Sequence, residues 1–450
     1  MKKITRLDIL SLAVGSIIGW GAFILPGDLF LSKIGIHNSI IGLFIGVIII
    51  IIIEKNYSYL INKKPISGGE YIYTKLYFGK QHSFVCGWFL SLAYVCIVPL
   101  NATAIPLIFN ILTKNKYLYG HLYSIDNSAV YISDIIISTF FIILLGYLNI
   151  KGIKLASSFQ KIMVLLLVGI ILIFFSFIIK EEGIITFNII SHYNGISISF
   201  KNILKIIAIS PWAYVGFDCV TQVLEELNFS YKTASKLSIL SLIMGFLLYM
   251  IIMILTAYGI SYEELKIGNI SWATGQTVEK YFGIVGIYFL GLALVSAVIC
   301  GVNGFYLNSA KLLTLMSEEG QLPKILSKDD KNKTPTYSII FVMILSSFAP
   351  WLGREVLVWI VDMSSLGIAI AYLYISLVTI YVYYQENNKI KYSGVLGSVF
   401  SLMFILLLVL PILDSSLKKE SIYLLIIWIL LGLFYKLKNI KNGELKNVSF

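Results

Sequence analysis

Gly15-Ser16-Ile17-Ile18-Gly19-Trp20-Gly21 interrupts an apolar run that extends from Leu7 to about Leu31, with Pro26 and Gly27 closing it. Each glycine weakens a helix by roughly 1 kcal/mol relative to alanine. Gly15 and Gly19 alone would also make a small-xxx-small packing face. A second stretch of the same kind is Ser210-Pro211-Trp212-Ala213-Tyr214-Val215-Gly216-Phe217-Asp218. Pro211 removes a backbone donor and clashes with the preceding turn, and Gly216 loosens the chain one turn later. Its plain alternative is a proline kink, which membrane helices tolerate.

The rest of the chain makes both stretches parts of membrane spans. Of 450 residues, 58% are hydrophobic and 13% charged, against about 45–50% and about 25% in a soluble domain. Lipid must solvate most of these side chains, which excludes a soluble enzyme, a disordered chain and a fibrous repeat. The net charge of +11 is scattered through short loops, so no basic face for nucleic acid forms. Cys86, Cys96, Cys219 and Cys300 lie in or beside apolar runs without paired spacing, and free thiols are expected. His37, His82, His121 and His192 show no ligand spacing, so neither a metal nor another cofactor is expected. The first apolar run lacks a small-residue cleavage site and is too long for a signal-peptide core, so it is expected to remain in the mature protein.

A helix crossing the bilayer needs about 20 apolar residues. Twelve candidates lie at roughly 7–31, 38–60, 85–112, 129–149, 156–179, 202–226, 236–260, 281–316, 336–353, 356–384, 393–413 and 421–437. Lys55, Lys63, Lys64, Lys75 and Lys80 follow span two, and Lys324, Lys328, Lys331 and Lys333 follow span eight. These place both termini in the cytoplasm by the positive-inside rule. The interrupted spans, one and six, are five helices apart. Five is odd, so a second five-helix unit has inverted topology. The reading is an all-α polytopic membrane protein of about 12 transmembrane helices. It has two inverted five-helix repeats (1–190 and 200–385) with discontinuous helices one and six, two accessory helices (390–438) and a cytoplasmic tail (439–450).

Broken helices at matching positions of inverted halves point to the site of a secondary transporter. A break exposes N–H groups on one half and C=O groups on the other, each end carrying roughly half a charge. A zwitterionic amino acid fits that pair through its carboxylate and ammonium.

Four blocks resemble the amino acid–polyamine–organocation superfamily of permeases: Gly15 to Phe23 with Pro26; Pro65-Ile-Ser-Gly68-Gly69-Glu-Tyr71-Ile-Tyr73; Trp212 to Asp218 leading to Glu225-Glu226; and Asn303-Gly304-Phe305 through Lys311, Gly320-Gln-Leu-Pro323 and Thr334-Pro335. The resemblance implies that backbone N–H groups of Gly19, Trp20 and Gly21 meet the substrate carboxylate. Carbonyls of Ile17, Trp212 and Val215 would meet its ammonium, Trp212 would act as an aromatic gate, and Phe305 would face the substrate side chain. Many relatives have a small residue where this chain has Trp20. Some proton-coupled relatives have a lysine in mid-span five, where this chain reads Met163-Val-Leu-Leu-Leu167 and Lys161 lies nearer the cytoplasmic edge.

Intramembrane charges are functional candidates by default. Asp218, Glu225, Glu226 and Asp362 are accordingly the gating or proton-linked candidates; the alternatives are fixed, hydrogen-bonded carboxylates for Asp218 and Asp362, and for the glutamates either solvation or pairing with basic loop residues such as Lys232. Asn101 and Thr103 in span three are expected to hydrogen-bond between helices, with a contact in the pocket as the alternative. The function expected is alternating-access transport of an amino acid across a bacterial-type cytoplasmic membrane. A polyamine or organocation carrier, or an amino acid/amine exchanger, is the alternative, and a non-transporting sensor on a permease scaffold is the reading from another class. The expected partners are the solute and the lipid bilayer, with no nucleic acid and with a homodimer left open.

Overall fold

A computed structural model describes residues 4–125, 128–183, 196–267, 270, 272–328, 334–411 and 416–441. His192, Lys331, Lys333 and the stretch from 442 onward fall outside these residues. In a bilayer every backbone polar group must be paired within the protein, and a helix does this by itself. Among the described residues, ten helices are long and apolar enough to cross a membrane, or eleven when the bent pair Arg6–Ile17 and Gly21–Ile34 counts as one span. The chain is thus an all-α polytopic membrane protein. The ninth candidate, Thr336–Leu352, is a shorter apolar helix. Pro335 precedes it and Gly353, at φ +80°, ends it.

Four local features depart from the expected layout. Pro26 does not close span one, which continues as a π-helix over Pro26–Ile34. The chain before span four forms a small antiparallel hairpin, His121–Ile125 with Ser128–Tyr131, so that span begins at Ile132. Span three starts earlier than its apolar run, at Gly69, because a short helix leads into it across a kink at Gly79 (φ +81°). Span eight is longer than expected at its start: Ala273–Glu318 is kinked at Gly283 (φ +62°).

The two kinked spans have matching attachments. The short helix leading into span three lies against the second half of span six: the Gly68 N–H donates to the Thr221 carbonyl (3.1 Å), and a Cβ on Gly69 would lie 2.6 Å from Thr221 Oγ1. The short helix leading into span eight lies against the second half of span one. There Thr274 Oγ1 and Trp272 Nε1 both donate to the Phe23 carbonyl (2.8 and 3.3 Å), and a Cβ on Gly27 would lie 2.5 Å from that of Ala273.

One face of the protein carries the N-terminal segment, and is called here the N-terminal face; the other is the far face. At the N-terminal face, Thr5 and Asp8 form a capping box that starts span one, satisfying amide donors left over at a helix start. Asp8 is buried and accepts from Lys154 (2.5 Å) and Lys161 (3.1 Å) of span five. Lys161 is thereby committed to an ion pair at this edge. Ile4 pairs with the chain after span six, its N–H donating to the Glu226 carbonyl (2.8 Å).

Spans five and twelve turn large apolar side chains outward, Ile173 being 66% and Phe434 69% exposed, as lipid contact requires. Spans two and six meet so closely that a Cβ on Gly42 would lie 2.5 Å from the Ile206 Cβ and 3.1 Å from the Ile203 carbonyl oxygen. Gly42→Val should therefore force the helices apart, at about 1–3 kcal/mol. A thermal-unfolding midpoint in detergent equal to that of the parent would contradict this packing.

Candidate functional site

The first half of span one ends at Ile18, whose backbone turns extended (φ −93°, ψ 98°), and the helix resumes at Gly21 with a bend of 49°. The last bond of the first half runs from the Ile18 N–H to the Val14 carbonyl (3.0 Å). Among the described residues, the N–H groups of Gly19, Trp20 and Gly21 find no acceptor, and the carbonyls of Ile17 and Ile18 no donor. Gly19 and Gly21 are small because neighbours take the space a side chain would need. A Cβ on Gly19 would lie 2.8 Å from Asn101 Oδ1, and one on Gly21 would lie 2.7 Å from Trp212 Cη2.

Span six breaks at Gly216 rather than at its proline. Pro211 stays inside the helix Phe200–Tyr214. The chain then turns extended at Val215 (ψ 141°) and takes φ +120° at Gly216, before a short helix resumes over Cys219–Gln222. Asp218 holds this turn: its carboxylate accepts from the Gly216 N–H (2.8 Å) and from the Tyr94 hydroxyl of span three. The carbonyls of Trp212, Ala213, Tyr214 and Val215 accept no hydrogen bond among the described residues.

The two breaks touch each other. A Cβ on Gly216 would lie 2.6 Å from the Cβ of Ser16 and 3.0 Å from the amide nitrogen of Ile17. Between them lies a cavity of about 20 Å³ bordered by Ser16, Ile17, Gly19, Trp20 and Gly21 of span one and by Trp212 and Val215 of span six. Ile97, Leu100 and Asn101 of span three, Tyr249 of span seven and Phe305 of span eight complete its wall. That volume suits one water molecule, so in this conformation the walls are drawn together. No charged side chain belongs to the lining.

Toward the N-terminal face the cavity is sealed by a deep plug. Tyr57, Tyr94, Phe217 and Tyr372 are each at most 1% exposed. Tyr57 packs on Phe217 and Tyr372 (ring centroids 5.4 and 6.3 Å), and its hydroxyl donates to Glu70 (2.6 Å). Toward the far face the barrier is thin. Trp20 meets Trp212 edge to face (6.5 Å), and beyond them lie chambers of about 330 and 730 Å³.

All seven residues expected to touch substrate, Ile17, Gly19, Trp20, Gly21, Trp212, Val215 and Phe305, border this one cavity. The charged candidates do not. Asp218 lies on its N-terminal side, within the plug. Glu226 pairs with Lys311 of span eight (2.5 Å) rather than with Lys232. Glu225 is exposed, and its N–H donates to the Ser67 hydroxyl (3.1 Å). Asp362 borders the 330 Å³ chamber on the far side. Asn101 donates to Ile97 within its own helix (3.0 Å), and its buried Oδ1 has no partner. Thr103 donates to the Leu100 carbonyl (3.0 Å) and accepts from Arg354 of span ten. Asn101, whose alternative role was a pocket contact, is in the lining; Ser16 and Tyr249 were not among the expected site residues. Only their polarity within apolar spans marked them.

The amino acid permease family matches residues 4–431. The chain belongs to this family. The permease is 25% identical to the methylthioribose transporter of Bacillus subtilis over 99% of its own length and 95% of that protein's. It is 24% identical to the branched-chain amino acid permease of the same organism, over 99% and 94%. It is 22% identical to the arginine/ornithine antiporter of Latilactobacillus sakei, over 75% and 70%. Members of the family are transporters rather than enzymes, and this permease is a multi-pass membrane protein. Its span-six turn yields a sharp expectation. Gly216→Ala places a side chain at φ +120° against the backbone of span one, a strain of about 1–3 kcal/mol. Uptake by the reconstituted variant should fall sharply, with a lowered unfolding midpoint; parent-like values for both would refute the contact between the breaks.

Proposed function

We propose that this permease is a secondary transporter that carries a zwitterionic amino acid with an uncharged side chain by alternating access. The observation that carries this reading is the pair of facing breaks around a wall without charge. The unpaired N–H groups of Gly19, Trp20 and Gly21 suit a carboxylate, because helix starts favour negative charge. The unpaired carbonyls of Ile17, Trp212 and Val215 suit an ammonium. A net-neutral solute then crosses without a buried counter-charge, whereas a cationic side chain would need one. Of the relatives above, one is named for branched-chain amino acids, whose side chains carry no charge, and one for arginine and ornithine, so the cavity wall rather than the relatives carries the choice. The polyamine alternative lacks a carboxylate in the cavity wall.

The N-terminal face is the cytoplasmic one in this reading, since the described lysines after spans two and eight, among them Lys63, Lys75, Lys324 and Lys328, lie on that side. Residues 1–190 and 200–385 are the inverted repeats. The broken spans and the kinked spans three and eight recur in the same order, each short helix lying on the other unit's broken span. Asp218, with Tyr94, and Glu226, with Lys311, hold the cytoplasmic side shut and separate when it opens. Phe305 and Trp212 face the substrate side chain.

Uptake into proteoliposomes tests the reading. Neutral amino acids such as leucine or phenylalanine should drive saturable uptake and compete at least about tenfold better than arginine or putrescine, the scale of one uncompensated buried interaction. Asn101→Asp keeps the shape of the side chain and adds charge beside the carboxylate end of the site. It should cut neutral amino acid uptake at least about tenfold. Stronger competition by putrescine in the parent, or unchanged uptake in Asn101→Asp, would overturn the proposal.

A further inference from the structure

Trp20 borders three cavities at once: the 20 Å³ space between the breaks, the 330 Å³ chamber and the 730 Å³ vestibule that opens between Asp28, Lys114 and Asp134. Its indole is the partition among them. The indole N–H is buried and has no acceptor, so contacts on the ring, rather than a hydrogen bond, set its position. One contact is the edge-to-face meeting with Trp212. The other is Arg354, the first residue of span ten, whose guanidinium carbon lies 4.3 Å from the ring centroid. Arg354 is steadied by Thr103 Oγ1 (3.3 Å) at the joint where span three changes from Gly69–Ala102 to Ala104–Leu112. Trp20 caps the start of the resumed helix: its carbonyl accepts from the Phe23 N–H (3.1 Å), while its own N–H has no acceptor among the described residues.

We propose that Arg354 and Trp20 form a cation–π latch that closes the space between the breaks to the far face, tying span one to spans three and ten. A guanidinium over an indole is attracted by the negative ring face, and the attraction strengthens where water is excluded. Releasing Arg354 frees the ring to swing into either chamber, and the three spaces become one. Lysine keeps the charge but not the planar stacking, so it is a weaker latch. The residue that departs from the small side chain of many relatives is in this scheme a gate.

The latch rests on the transport reading for its purpose, and its test needs no substrate. Ser16→Cys places a thiol in the wall of the central cavity; the four native cysteines are buried, and the protein without Ser16→Cys gives the background. A membrane-impermeant methanethiosulfonate ammonium reagent is applied to the far face and, separately, to the N-terminal face of full-length protein in oriented vesicles. From the far face, Arg354→Gln should raise the labelling rate at Cys-substituted position 16 about tenfold, the scale of a desolvated cation–π contact. Arg354→Lys should fall between it and the parent. Trp20→Phe should raise the rate, and adding Arg354→Gln to it should raise it less than in the parent background, because the two changes remove the same contact. Labelling from the N-terminal face should stay at the parent rate. Parent-like far-face labelling in both Arg354→Gln and Trp20→Phe, or fully additive effects, would overturn the latch. If Arg354→Gln does not fold, Arg354→Lys with Trp20→Phe decides by the same criteria. Failure of neutral amino acid uptake with latch-dependent labelling intact would instead remove only the substrate assignment.

Discussion

Peptide groups left unpaired in a membrane interior are costly, about 2–7 kcal/mol each when nothing replaces water. Two helices of this permease leave such groups side by side. Gly216 makes that possible, since its absent Cβ lets the turn of span six lie against Ser16 and Ile17, and its φ of +120° directs the chain back into a helix. Irregular backbone at this depth is tolerated where protein or a polar cavity covers it. Spans three, seven and eight provide that cover with Asn101, Tyr249 and Phe305. The rest of the bundle can be understood as support for this one exception to the rule that membrane helices satisfy themselves.

The two sides of that exception are closed by different means. On the N-terminal side, aromatic rings and the Asp218 and Glu70 carboxylates, each holding a tyrosine hydroxyl, fill several layers. On the far side, two indoles and one guanidinium intervene before wide chambers begin. Many weak contacts must be exchanged to open the first barrier and few to open the second. The conformation is therefore one in which the path from the far face is nearly complete.

The breaks were legible from residue types: Gly19, Gly21 and Gly216 stand out in apolar runs because nothing else in a spanning helix favours them, although Pro211 beside the second break stays helical. The seven expected contact residues, which border one cavity, came instead from the family resemblance, since no single residue type marks a backbone contact. The span boundaries were less legible. The helix entering span three holds Glu70, Lys75 and Lys80, so hydropathy ends the span at the apolar run while the backbone continues through the kink at Gly79. The hairpin at His121–Tyr131 was hidden because strand pairing in a loop depends on a partner that periodicity over a few residues does not reveal. Charge partners were the least legible: Glu226 meets Lys311, 85 positions away, rather than nearby Lys232. Sequence proximity says little about which cation a helix bundle delivers.

The reciprocal grip of the two short helices has a mechanical meaning. The one joined to span eight holds Phe23 near the far face, and beyond Gly283 the rod behind it runs to Glu318 at the opposite surface, where neighbouring Glu319 is tethered to Lys75. The one joined to span three holds Thr221 near the N-terminal face. Each hinged segment is thus fastened to a beam that spans the whole thickness of the bundle. In the transport reading such a molecule would act as a seesaw rather than as a corridor with two separate doors: tilting one end would shift the other, and the framework itself would discourage simultaneous opening.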